Sequence, residues 1–248
     1  MAVGSRQLRA DSLPHSPMHK LALALFITFA VLTLHNEAAS QTPLKLTQTN
    51  TSDSGSSSAA ISYHYRFENE KFTTPLQEVE FDGTGRGTFR FKKKDSEEIV
   101  NELAVSPTLL TRIQSLFDQL NFLSSQEGYQ HKKDFSHLGT VTISQTRSGK
   151  ERTVKFNYTD NSAMSQLRDT FQNLINQETR FFEIEVVRST DPISTPAQLR
   201  LLDDDLRSKR IADPNRFVPL LNDIKLDEGV PLIARNHAER LLKAIKGK

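Results

Sequence analysis

From residue 61 onward the apolar positions of the chain alternate with polar ones. Ile61, Tyr63, Tyr65 and Phe67 are separated by Ser62, His64 and Arg66; Val79 and Phe81 lie between Glu78, Glu80 and Asp82; Phe89 and Phe91 flank Arg90. Ile99, Leu103 and Val105 share one parity, with Asn101 interrupting the run. A period of two sends successive side chains to opposite faces, so each run predicts a strand with one buried and one wet face, the pattern of an antiparallel sheet. Asp82-Gly83-Thr84-Gly85-Arg86-Gly87 supplies a hairpin turn between two of these runs. Two further strands are expected at Val141 and Ile143 and at Val154, Phe156 and Tyr158, with Ser148-Gly149 as the turn between them.

The spacing becomes helical at Ser106-Pro107, a serine N-cap followed by proline at the first helical position. Leu109, Ile113, Leu116, Phe117 and Leu120 then form one apolar stripe, and Met164, Leu167, Phe171, Leu174 and Ile175 form another. Residues 124–138 between them are polar and predict a loop. Phe181, Phe182, Ile184, Val186 and Val187 fit a continued helix or a strand. Beyond them the pattern is helical: Thr195-Pro196 and Asp213-Pro214 are two more cap-plus-proline starts, and Gly229-Val230-Pro231 precedes the last helix. Its expected stripes are Leu199, Leu202 and Leu206; Phe217, Leu220 and Leu221; and Ile233, His237, Leu241 and Ile245. The expectation is an α+β domain over residues 60–185, an antiparallel sheet with two amphipathic helices, followed by an all-helical segment over 190–248. The paired short helices resemble helical-repeat hairpins but are too few to stack as an array.

Ahead of the sheet, residues 21–34 (LALALFITFAVLTL) form an uncharged apolar run. It is shorter than the roughly 20 residues needed to cross a bilayer and has the length of a signal-peptide h-region. Ala38 and Ser40 sit two apart, as a signal peptidase site requires, so residues 1–40 are expected to be a signal peptide cleaved between Ser40 and Gln41. Met18-His19-Lys20 would make a compact start, with residues 1–17 an over-called beginning or an extended n-region. An uncleaved N-terminal anchor is the other reading. Residues 41–59 are Ser/Thr/Gln-rich and poor in apolar side chains, the composition of a flexible tether. The expected destination is the periplasm or the outside of the cell.

The chain has no cysteine. That excludes a lipoprotein anchor, disulfides, thiol nucleophiles and cysteine-held zinc or iron–sulfur groups. With 32 Lys and Arg against 30 Asp and Glu, interspersed, there is no basic footprint of the kind nucleic acid needs.

Each candidate motif has a plain structural explanation. The spacing Gly83-x-Gly85-x-Gly87 is wrong for a dinucleotide loop and is followed by a strand rather than a helix. His131 and His137 flank Asp134, a potential metal set, but Lys132 and Lys133 oppose a cation and a solvated loop is expected. Asp203-Asp204-Asp205 falls on a helix, where successive side chains point about 100° apart and do not converge, so an exposed face is expected. Glu127, Asp134 and Asp160 could form a carboxylate pair for hydrolysis only by folding together. His237, on an apolar stripe, is expected to be a packed, hydrogen-bonded core residue. No serine has a G-x-S-x-G context. Asn50-Thr51-Ser52 and Asn157-Tyr158-Thr159 match the N-glycosylation pattern, with Asn157 expected on the wet face of its strand. No catalytic, cofactor-binding or metal residues are assigned.

The order hairpin, helix ending in Phe117-Asp118-Gln119-Leu120-Asn121-Phe122, hairpin with Ser148-Gly149-Lys150, then helix over 167–175 resembles small exported bacterial ββαββα domains, among them the emfourin-like inhibitors of thermolysin-type proteases. The resemblance covers residues 76–177; it implies protease inhibition and transfers no functional residue. The functional expectation is an exported, non-enzymatic binding domain with a protein partner in the envelope or outside the cell. The alternatives are a hydrolase whose site assembles only in three dimensions, and scaffolding through the C-terminal helices.

Overall fold

The computed structural model describes residues 61–247. The expected signal peptide, the tether and the Asn50 sequon lie outside them. The described fold is α+β. Six strands, β1 (Ile61–Glu68), β2 (Leu76–Asp82), β3 (Arg86–Lys92), β4 (Glu98–Ala104), β5 (Thr140–Arg147) and β6 (Lys150–Phe156), form one antiparallel sheet in the order β4-β3-β2-β1-β5-β6. In this register Tyr65 stands between Val79 and Ile143, and Val79 opposite Phe89, so one face collects Tyr63, Tyr65, Val79, Phe81, Phe89, Phe91, Ile143, Val154 and Phe156.

Helices α1 (Pro107–Gln119) and α2 (Ser162–Thr190) cover that face. Both are capped by the side chain before them: Ser106 accepts from the Leu109 amide, and Asn161 from the Met164 amide. Phe171 stacks on Tyr65 at 5.2 Å between ring centroids, and Phe117 meets Tyr63 at 5.3 Å. The opposite face keeps the polar partners of the alternation and carries no layer of described residues.

The ambiguous stretch 181–187 is helix. Locally its residues fit a helix or a strand, and partners on two sides settle the choice: Phe182 meets Phe91 edge-on at 5.5 Å, Phe181 lies 6.0 Å from Phe217, and Ile184 is fully buried in a second cluster. That cluster joins the end of α2 to α3 (Thr195–Arg207), α4 (Val218–Leu226) and α5 (Leu232–Lys246) through Leu199, Leu202, Phe217, Leu221, Ile224, Ala234 and Ala238. One 29-residue helix therefore runs through the 185–190 junction and serves both apolar clusters.

Several local details differ from expectation. Ile233 is 62% exposed, and Ala234 and Ala238 take the inner face of α5 instead. Positions four apart precess by about 40° per step around a helix, so the four residues spread over about 120° and Ile233, at one end of the spread, falls off the buried side. Thr195 does not cap α3: a 3₁₀ turn at Pro192–Ser194 enters it, Asp191 accepts from the Ser194 hydroxyl at 2.5 Å, and the Thr195 hydroxyl is buried without a partner. Asp213 does cap, accepting from the Asn215 amide ahead of Pro214–Phe217. Strand β6 ends at Phe156, so Asn157 and Tyr158 belong to the following loop. The β5–β6 turn has φ of 54° at Ser148 and 75° at Gly149, the paired positive values of a type I′ hairpin.

Candidate functional site

Four clusters hold the chemistry-bearing side chains. The first lies on the open sheet face. Glu78, on β2, accepts from His64 at 2.8 Å and from Arg66 at 3.3 Å, with Arg90 at 3.8 Å and Glu98 beyond it. Three neighbours thus cover a carboxylate on a nominally wet face, leaving Glu78 9% exposed. Arg66 also donates to Glu68 at 2.6 Å, and this bond holds the Glu68 carboxyl below its usual range.

The second is the loop after α1, which is ordered rather than simply solvated. Arg152 of β6 donates to the carbonyls of Phe122 and Glu127 and lies over the stacked Phe122 and Tyr129 rings, 4.9 and 5.4 Å from their centroids. Asn157 accepts from the Gln130 amide and donates to Asp134 at 2.5 Å, so the sequon side chain is engaged by the loop. His131 accepts from the Lys133 amide through Nδ1 and pairs with Asp160 through Nε2 at 3.1 Å. Glu127 faces Asn161 at 3.2 Å. His137 is exposed. The candidate residues of this loop therefore turn to different partners, and His64 is on the sheet. Among the described residues no three His, Asp or Glu side chains converge to hold a metal ion.

The third cluster sits where the two apolar regions meet. Glu178 of α2, 5% exposed, receives Arg216 at 3.4 Å and Gln177 at 2.9 Å, and the Arg216 guanidinium lies 3.9 Å from the Phe181 ring centroid. Gln177 in turn accepts from the Asp213 amide at 2.7 Å. Asp205 is buried, not exposed as the acidic run suggested, because Arg180 reaches it at 2.9 Å and Arg210 at 2.7 Å. The signal was present in the sequence: Asp205 follows Leu202 by three and precedes Leu206 by one, on the buried stripe.

The fourth is a groove of about 320 Å³ between α3 and α5. Leu206, Pro214, Leu241, Ala244 and Ile245 form its apolar lining, and Asp203, Arg207, His237 and Arg240 its polar part. Arg207 bonds Asp203 at 2.5 Å. His237 is buried as expected but not hydrogen-bonded: its nearest charged partner, Asp203, is 3.7 Å away, too far for a direct bond. Burial, followed by the charge of Arg240, lowers the His237 pKa, so the imidazole is neutral at pH 7. No spacing rule predicted this groove, since its two walls are some thirty residues apart in the chain. Comparison with family models and with curated proteins finds no match for this chain.

Proposed function

We propose that the protein is an exported, non-enzymatic interaction domain that engages a protein partner through its helical segment. The observation that carries this is the distribution of exposed large apolar side chains. Of the ten exposed large apolar side chains among the described residues, six (Val186, Ile193, Leu201, Leu226, Leu232 and Ile233, between 38% and 80% exposed) lie from the end of α2 onward, and four (Phe72, Val100, Leu138 and Tyr158) lie in the sheet region. The Arg188–Asp227 pair, at 2.9 Å, draws the last turns of α2 to the end of α4, the neighbourhood of Leu226 and Leu232. Contiguous exposed apolar patches mark interaction sites, whereas singly scattered apolar residues are ordinary surface. The ionisable groups support a non-enzymatic role: Glu78, Glu178 and Asp205 are each held by arginines that tie elements together.

The export half of the reading rests on residues 21–40 and is tested by N-terminal sequencing of the protein recovered from its host. A start at Gln41 supports it; a start at Met1 or Met18 overturns it. The docking half is tested with Leu226→Asp and Ile233→Asp in one chain. A partner recovered by the wild type and lost by the variant, at unchanged melting temperature, supports it; equal recovery overturns it. Inhibition of a thermolysin-type protease is the specific form suggested by the element order hairpin, α1, hairpin, α2. Unchanged thermolysin activity in excess protein would remove that form.

A further inference from the structure

We propose that the α3–α5 groove is a binding site for a small amphiphilic carboxylate, an acyl chain of about eight carbons. The groove amounts to roughly ten water-sized volumes, at about 30 Å³ each, which sets the ligand at about ten heavy atoms and lies at the small end of ligand pockets. Leu206, Leu241, Ala244, Ile245 and Pro214 offer the chain an aliphatic wall without a competing polar group.

The polar end selects the charge. Arg240 lines the groove and makes no ion pair with a described carboxylate, while Arg207 shares Asp203 alone. Two guanidinium groups thus line the groove against one carboxylate, a surplus of positive charge that a ligand carboxylate completes. His237 is a second, independent pointer. Its side chain is 10% exposed, lines the groove and has no hydrogen bond to any described residue. The ring N–H of a neutral histidine facing the groove is a donor suited to a carboxylate oxygen. This site is distinct from the proposed protein-docking residues and does not depend on them.

Isothermal titration of the full-length protein with octanoate tests the assignment, with 1-octanol as the uncharged control and amide chemical shifts as the map. The expected result is one saturable site, with shifts centred on α3 and α5. Octanol should bind at least tenfold more weakly. Arg240→Glu, at an exposed position that leaves the core intact, should weaken octanoate at least tenfold, and Ala244→Phe should block it by filling the groove, both at unchanged melting temperature. Absence of saturable binding, octanol binding as tightly as octanoate, or an undiminished affinity in Arg240→Glu would each overturn the proposal.

Discussion

The sheet region and the helical region solve the same packing problem with different materials. Nine aromatic side chains (Tyr63, Tyr65, Phe81, Phe89, Phe91, Phe117, Phe122, Phe156 and Phe171) fill the space between the sheet and its two helices, and each is at most 2% exposed. Between α3, α4 and α5 the buried apolar residues are Leu, Ile, Ala and Val230, with Phe217 as the one buried aromatic. A flat sheet leaves wide gaps under crossing helices, which rings fill. Short helices meeting one another approach closely where alanine, at 234 and 238, removes bulk. The surfaces differ in the same sense. The sheet region spends its charges on its open face, around Glu78. The helical region has charges at its joint with α2, around Glu178 and Asp205, and from Val186 onward exposes six large apolar side chains against four in the sheet region. The aromatic region closes its core with α1 and the first half of α2, whereas the helical region depends on the end of α2 for one wall.

That contrast makes predictions of decreasing size. Phe171→Ala, at the centre of the aromatic core, should cost about 3–5 kcal/mol in urea unfolding. Because α2 belongs to both regions, circular dichroism and tyrosine fluorescence should still report a single transition. Two separated transitions would show that the regions are energetically independent. Glu178→Ala leaves Arg216 without its carboxylate at the joint and should cost about 2 kcal/mol. Here the cost should fall on the helical region first, seen as earlier loss of amide protection in α4 and α5 than in β1 and β2.

A third effect is confined to the helical side. The folded-state pKa of His237 lies below the unfolded value of about 6.5. At pH above that value both states are neutral there and the residue contributes no pH dependence. As pH falls through about 6.5 the unfolded chain takes up the proton first, so stability is lost toward acid. His237→Gln should remove that part of the pH 7 to 5 slope, measured as the difference between two chemical-denaturation series; an unaltered slope would refute it. The smallest effect is on the sheet side. Ser148→Asn places the residue best suited to positive φ in the β5–β6 turn and should stabilise by a few tenths of a kcal/mol, visible as a small rise in the urea midpoint.

How far the sequence revealed this molecule follows from the same division. Strands with one wet face announce themselves, because the alternation at 61–67 or 89–91 repeats locally what the register does globally. The caps at Ser106 and Asp213 were legible for the same reason, being contacts within a few residues. The continuation of α2 was not. Phe181, Phe182 and Ile184 are poor helix formers by propensity, and their buried partners, Phe217, Phe91 and the α3–α5 cluster, are distant in the chain. Tyr129, 4% exposed in a stretch otherwise polar, was missed because its partners are Phe122 and Arg152. The groove was invisible for the plainest reason: Arg207 and Arg240 become neighbours only through the turn made by residues 208–231.

The length of α2 also sets an order of assembly. At about 1.5 Å per residue its 29 residues span roughly 43 Å. As the chain emerges from its N-terminal end, the first half of α2 follows all six strands and can close the aromatic core at once. The second half then protrudes with Phe181 and Ile184 uncovered until residues 195–245 follow. For that interval the emerging chain carries a finished sheet and a sticky helical stub, so the delay before the last sixty residues follow governs how long an adhesive intermediate persists.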